Sequence, residues 1–318
     1  MSFRSSTSSA DEFPEAPQDA SGCLLETPAM RAFGLEALRR MIKAGASADP
    51  PVPPLPREDD AFLLAFLRAR KYKVDKSYAV LKNFALFWSS PKYRSILHGR
   101  SAGDVRRFYE GGPAVMLEGR DREGNGLAGI HAGRMDAAFI NFEAQVLLAV
   151  LGLGWLLENE DVQLRGMTYI ETFRGFSLGA AMGLRAALSS DQQKELTHIM
   201  VDTMPIRIRH IYVLHQPWYF SMVWAVARLF FKKKITERVE LLGNDTAALW
   251  RLVDPAAVPP SLIAGGTLPP GPSFIDRIVA LEAQGGTLGG FALPLNVDSP
   301  MGAGAAPWAE APPLEHAA

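Results

Sequence analysis

The sequence predicts an α/β fold in which an N-terminal helical unit packs on an α/β domain with a mostly parallel sheet. Three observations predict it. The first hundred residues carry helical apolar spacing and no strand pattern. From Arg107 onward short apolar runs alternate singly with helices, which is the pattern of parallel strands joined by right-handed crossovers. The run from His215 to Asn244 holds a helix that is apolar on nearly every side and ends in Lys232, Lys233 and Lys234.

Taken in order, residues 1–23 are small, polar and acidic with few apolar side chains. Such a segment cannot bury enough surface to offset its ordering entropy and is expected to be a disordered tail. Residues 24–100 form the helical unit. Leu25, Met30, Phe33, Leu38 and Ile42 give the first helix its apolar face, and the prolines from Pro50 to Pro56 end it. Asp59-Asp60 offers an N-cap to a second helix with Phe62, Leu63, Phe66 and Leu67 inside and Arg68, Arg70 and Lys71 at the dipole's favourable end. Val74 to Trp88 reads as a third helix with Asp75 capping.

Residues 103–268 form the α/β domain. Ala114–Glu118 and Leu127–His131 flank turn chemistry and read as a hairpin. Asn141 to Leu157 is a helix too short to span a bilayer and too apolar to be exposed. Met167–Glu171, Ile208–Leu214 and Val239–Leu242 read as strands, with helices at Leu178–Leu188, Ser190–Met204 and Thr246–Val253. Residues 269–318, rich in Pro, Gly and Ala, read as a largely irregular extension with one helix at Ile275–Glu282.

The 318 residues carry a formal net charge of −1, which disfavours a nucleic-acid binder. The charge is uneven: Met204 to Arg238 holds seven Lys/Arg against one acid, Glu237. Such a patch points to phosphates on a partner, most simply anionic lipid headgroups. The single cysteine, Cys23, excludes an internal disulfide. No cysteine or histidine cluster has metal-ligand spacing, and no phosphate-binding glycine loop is present, so no metal or cofactor is expected. Met1 to Ala20 has no apolar signal core, and an intracellular, cytoplasmic protein is expected.

The run from His215 carries most of the functional information. After Pro217, Phe220, Val223, Trp224, Ala227 and Phe231 follow helical spacing, and Met222, Val226, Leu229 and Phe230 cover most of the remaining surface. A helix apolar all round is buried, covers an apolar ligand, or touches a membrane. Trp218 to Phe231 includes Arg228 and falls short of the roughly 20 apolar residues a spanning helix needs. It reads as an interfacial or lid helix.

At Phe62-Leu-Leu-Ala-Phe-Leu-Arg-Ala-Arg-Lys, Met204-Pro-Ile-Arg-Ile-Arg, His215-Gln-Pro-Trp-Tyr-Phe, Glu237-Arg-Val-Glu-Leu-Leu-Gly-Asn and Gly265-Gly-Thr-Leu the chain resembles the CRAL-TRIO lipid-binding family. Leu156-Leu-Glu-Asn-Glu and Ile170-Glu-Thr-Phe-Arg-Gly-Phe favour the family's retinaldehyde-binding branch, with the tocopherol-transfer branch next. The resemblance implies that Arg70, Arg207, Arg209, Lys234 and Arg238 form a phosphoinositide-binding cleft. It implies a lid over an apolar pocket, and ligand contacts from Ala149, Leu153, Glu171, Phe173, Ile199, Phe220, Val223, Trp224 and Ala227. Glu171, following an apolar strand, is either desolvated and a neutral donor to a carbonyl, or paired with a cation such as Arg174. Ala149 stands where the retinaldehyde branch has a tyrosine, and Ala149 and Leu153 where the tocopherol branch has serines, which implies a more apolar pocket.

One rival chemistry is present. Gly175-Phe-Ser177-Leu-Gly179 fits G-x-S-x-G, with Asp202, His210 and His215 downstream as an esterase triad requires. Against it, Thr172 to Arg174 separates the strand from the motif, and no oxyanion segment of the usual kind appears. The expected protein is therefore not an enzyme and has no catalytic residues. It carries a retinoid such as retinaldehyde and exchanges it at phosphoinositide-containing membranes as a peripheral protein. Carriage of tocopherol or phospholipid, or a lipid-regulated signalling adaptor, are the alternatives. Burying about 400 Å² of apolar ligand gives on the order of 10 kcal/mol gross, enough for tight binding after association costs.

Overall fold

The computed structural model describes residues 16–109, 114–228 and 233–298. Helix α1 (Pro28–Ala46) starts where the Thr27 hydroxyl accepts from the Met30 N–H, with Pro28 at the first helical position, where its missing N–H is not needed. Helix α2 (Asp60–Ala69) is capped by Asp59, whose carboxylate accepts from the Phe62 N–H, and every residue from Phe62 to Ala69 is buried. Helix α3 (Val74–Ser89) leans on α1 and α2. Asp75 sits in the first turn of α3, where it complements the dipole; the cap position falls to Lys73, which makes no side-chain cap bond. Phe62, Phe66 and Phe84 meet with centroids 5.1 to 5.7 Å apart, and Trp88 stacks on Phe84. Two short helices, α4 (Pro91–Leu97) and α5 (Arg106–Tyr109), lead to the sheet.

Strands β1 (Ala114–Arg120) and β2 (Gly126–His131) form the expected hairpin. Its turn is built on Asp121, whose carboxylate accepts from the Glu123 and Asn125 N–H groups, the Asn125 amide and the Thr168 hydroxyl. The apolar helix α6 (Phe142–Glu158), capped by Asn141, and the short α7 (Glu160–Arg165) carry the chain to β3 (Met167–Thr172). Helices α8 (Leu178–Ala187) and α9 (Ser190–His198) lead to β4 (Ile208–Leu214). A π-helical turn at Ile199–Thr203 ends the helix that the sequence extends to Met204. Helix α10 (Phe220–Ala227) and the short α11 (Lys233–Thr236) precede β5 (Val239–Gly243), and α12 (Thr246–Leu252) follows. The sheet runs β1-β2-β3-β4-β5, with β2 to β5 parallel.

The two faces of this sheet are filled differently. Leu117, Leu127, Ile170, Tyr212 and Leu214 pack with Leu249, Val253, Val258, Leu262 and Ile263 into a closed cluster. On the other face Ala128 and Met167 join the large core around α6, with Met116 and Tyr169 packed against it only in part. Along β3 burial alternates: Tyr169 and Glu171 keep some accessible surface while Ile170 and Thr172 have none to speak of.

Both ends of the domain scheme change. The tail expected through residue 23 is ordered from Ala16, which is buried and donates its N–H to the Lys71 carbonyl. Gln18 bridges to Leu24, and Leu24 donates to the Leu164 carbonyl. Residues 1–15 and 299–318 lie outside the described residues. The extension expected to be largely irregular instead completes the core. Helix α13 (Phe274–Ala283) begins with a Ser273/Asp276 capping box, and β6 (Thr287–Leu288) turns into β7 (Phe291–Ala292). Leu288, Phe291, Leu293, Leu295 and Val297 are buried, with Phe291 5.3 Å from Trp88 between centroids. Proline- and glycine-rich composition hid an every-other-residue apolar pattern from Phe291 to Val297, whose partners lie two hundred residues away.

Phe291→Ala should therefore cost about 3 kcal/mol, as large aromatic deletions in closed cores do. A fall in the urea midpoint of the whole protein checks it; an unchanged midpoint would return this segment to the status of a loose appendage.

Candidate functional site

The amino ends of β4 and β5 face the C-terminal end of α2, and a cavity of about 340 Å³ opens between them. Arg70, Lys71, Lys73, Lys76, Arg207 and Arg238 line it, with Asp202 as the acid among them. The chain reaches this geometry by turning sharply after α2: Lys71 and Tyr72 both adopt positive φ, 54° and 61°. That turn buries Tyr72 while Lys71 and Lys73 stay on the cavity wall. Lys73 and Lys76 were not singled out from the sequence, although three lysines within six residues at a helix end are a visible signal.

The arginines are positioned by backbone oxygens. Arg70 donates to the Val201 carbonyl at 2.9 Å and lies beside Asp202. Arg207, 6% exposed, donates to the carbonyls of Leu164 and Gly22 and to the Gln18 side-chain oxygen. Arg209 donates to the Ser21 carbonyl and, at 3.4 Å, to Glu123. Burial works against the charge of Arg238, and so do Arg209 and Arg70. Cations gathered in this way against mostly neutral acceptors make a site that an anion relieves. The Lys234 side chain lies outside the described residues.

The residues expected to touch a ligand fall into two groups. Ala149 and Leu153 on α6 and Ile199 are all buried in one continuous core. Phe173 and Phe220 meet edge to face at 4.8 Å, and Phe220 stacks on Trp224, so the start of α10 rests on the end of β3. The Val223 and Ala227 side chains lie outside the described residues, as do Phe230 and Phe231.

Glu171 links the groups. Burial alone pushes its carboxyl up to about 7, and Arg174 reaches elsewhere, donating to His215 Nε2 at 3.0 Å. That bond places the His215 proton on Nδ1, facing the Thr172 hydroxyl at 2.9 Å, and burial with Arg174 keeps the ring's pKa low. One strand period before Glu171, Tyr169 is pushed up to about 12 by burial and by Glu171, and Tyr109 is raised by burial and by Tyr169. All three side chains are surrounded by protein yet retain accessible surface. Above this face, neither α8 nor α9 contributes a buried residue. Of the two tyrosines, Tyr169 was legible from the two-residue period of β3, and Tyr109 was not.

The serine motif is used otherwise. Ser177 caps α8, its hydroxyl accepting from the Ala180 N–H at 3.1 Å. His210 pairs with Glu123, and His215 with Thr172 and Arg174. Among the described residues no helix is long and apolar enough to cross a membrane, and no group of three acidic, histidine or cysteine side chains is placed to hold a metal ion.

Residues 110–262 match the CRAL/TRIO domain and residues 46–83 the CRAL/TRIO N-terminal domain, together more than half of the chain. Clavesin-1 of Xenopus laevis is 29% identical over 221 residues, covering 67% of this chain and 63% of that protein. The alpha-tocopherol transfer protein-like protein of Homo sapiens is 27% identical over 227 residues, covering 71% of this chain and 63% of that protein. The chain thus spans less than two thirds of the length of these relatives. The crystal structure of Sfh5 aligns with a TM-score of 0.47 and 10% identity, over 71% of this chain and 85% of that one.

The raised carboxyl has a measurable consequence. Unfolded, Glu171 ionises near 4.5; folded, it holds its proton up to about 7. The folded state therefore binds the extra proton between these values, and stability falls as pH rises through them, by up to about 3 kcal/mol, then levels off. Glu171→Gln should gain on the wild type by that amount at about pH 8 and by nothing at about pH 4. Urea denaturation of the ligand-free proteins checks it, since the contributions of His131 and His215 cancel in the difference; parallel profiles would mean that Glu171 is hydrated.

Proposed function

The chain belongs to the CRAL-TRIO family, and from that premise we propose that it is an intracellular carrier of one hydrophobic molecule, a retinoid such as retinaldehyde, exchanged at phosphoinositide-containing membranes. The observation that carries the reading is the accessible surface kept by Tyr169 and Glu171 deep inside the molecule. A well-packed interior leaves no such surface unless something else is meant to fill it. The neutral carboxyl of Glu171 would donate to a carbonyl oxygen at one end of the ligand, while Ala149, Leu153, Phe173, Ile199, Phe220 and Trp224 exclude water along the rest. Tocopherol in place of the retinoid is the second reading, favoured by relatives named as alpha-tocopherol transfer protein-like.

Exchange needs a trigger at the membrane. Arg70, Lys71, Lys73, Lys76 and Arg238 would dock phosphoinositide headgroups, each cation near an anionic surface contributing about 1 kcal/mol. The protein would then sit on the cytoplasmic leaflet as a peripheral protein. Helix α10 would act as the lid, since its base rests on the Phe173 ring and the Thr172–His215–Arg174 bonds at the end of β3. Bonds of this kind break one by one, which suits a two-state hinge.

Mass spectrometry of lipid extracted from the native protein tests the carrier directly: a stoichiometric retinoid is expected, tocopherol would select the second reading, and a protein free of lipid would overturn both. If retinaldehyde is bound, Glu171→Gln should retain it and shift the absorbance of the bound chromophore. Replacing Arg70 and Arg238 together by alanine should weaken binding to phosphoinositide vesicles roughly thirtyfold, about 2 kcal/mol, with ligand affinity in solution unchanged. Vesicle sedimentation measures the first quantity and fluorescence titration the second; equal loss of both would place these arginines in folding rather than docking.

A further inference from the structure

We propose that residues 18–23 form an internal strap that occupies part of the phosphate site, so that strap closure and phosphate binding exclude each other. The inference rests on reading the basic cleft as a phosphoinositide site, and it names how that site is regulated.

Arg207 lines the cleft, and Arg209 is close enough to oppose the charge of Arg238 within it. Yet both guanidiniums are already engaged by the chain. The Gln18 side-chain oxygen and the Gly22 carbonyl take Arg207 Nη2 at 2.9 and 2.6 Å, and the Ser21 carbonyl takes Arg209 Nη2 at 3.2 Å. Three oxygens from one short segment thus meet two arginines, the donor pattern that a phosphate group would satisfy. The fit is close: a Cβ at Gly22 would stand 2.2 Å from the Arg209 guanidinium, and Gly22 has φ +76°, a conformation other residues adopt only with strain.

The strap is built to be displaced. The strap's oxygens toward the arginines are neutral, so they satisfy donors without adding opposite charge, whereas a phosphate brings that charge to the same donors. Pro17, Asp19 and Ala20 at its outer side are exposed. Backbone bonds to the rest of the molecule flank it, Ala16 to Lys71 and Leu24 to Leu164. Inside it is closed on itself by the bonds Leu25 N–H to Pro17, Asp19 N–H to Cys23 and Gly22 N–H to Asp19 and by the Asp19 carboxylate, which accepts from Ser21 and the Cys23 N–H, so that it can lift as a unit. The bond to Lys71 joins it to the opposite wall of the same cleft. A headgroup seated among Arg70, Lys71 and Arg238 would need only to draw Arg207 and Arg209 off these oxygens to complete its own shell.

The test uses the full chain, with soluble inositol trisphosphate and with phosphatidylcholine vesicles carrying phosphatidylinositol bisphosphate. In the wild type, either source of phosphate should speed hydrogen exchange at the Cys23 and Leu24 amides. Gly22→Val, which cannot close the strap, should bind about tenfold more tightly than the wild type, as removal of a closed state populated about ten to one requires. Tightening with vesicles alone would assign strap release to a lipid surface, and tightening with the soluble headgroup alone would assign it to free phosphate. Strap amides whose exchange is unchanged or slowed by bound phosphate overturn the proposal whatever the variant does. If phosphate binds, depends on Arg238 and ignores Gly22→Val, the strap is wrong and the cleft reading stands. Absence of binding by every form of the protein overturns the cleft reading and the strap with it.

Discussion

Each strand of the parallel sheet has to satisfy two faces with alternate side chains, and the rest of the molecule depends on how unequally β3 does so. Ile170 is sealed among Leu127, Tyr212, Leu249 and Val258. Tyr169 and Glu171, its neighbours on either side, point the other way and are left partly uncovered. Because the strand period is two, no substitution on one face can relieve the other without a change of register. One face of β3 is closed by the cluster that includes Leu127 and Val258, and the other presents Glu171 and Tyr169 with some accessible surface.

The same parallel arrangement sorts charge. The starts of β2 to β5 lie at one end of the sheet, so Arg207, Arg209 and Arg238 come together there with the lysines that follow α2. At the opposite end lie Thr172, Arg174 and His215 and the entry to α10. The basic cleft and the entry to α10 are thereby separated by the length of the strands, and any coupling between them has to pass through β4 or through the helices packed on it.

The helical unit is docked by a buried pair. Arg68, 2% exposed, donates to Glu26 at 2.6 Å and to the Gln163 side chain at 2.8 Å, with Glu160 and Arg31 completing the network. Charges taken out of water need every partner in place, so this contact fixes one orientation of α2 against α7. That orientation also brings Arg70, two residues further on, to the carbonyls of Val201 and Ile206 and so sets the width of the cleft.

The sequence by itself determined the elements and the local excess of positive charge that the cleft gathers. Caps such as Asp59 and Asn141, the Asp121 turn and the apolar periods of α2, α6 and β4 act over a few residues, and they could be read directly. The family resemblance that the sequence carries also named Arg70, Arg207, Arg209, Lys234 and Arg238 as a set. Only the tertiary structure decided that Gln18, Ser21 and Gly22 already hold two of them, that Lys73 and Lys76 join the wall, and that Tyr109 stands near Tyr169. It alone showed that the C-terminal segment through Val297 belongs to the core. Each of these depends on partners a hundred or more residues apart, or on which face of a strand is left unfilled. Local propensity carries no information about either, because a polar segment without apolar periodicity looks the same whether it stays in solvent or lies across a row of arginines.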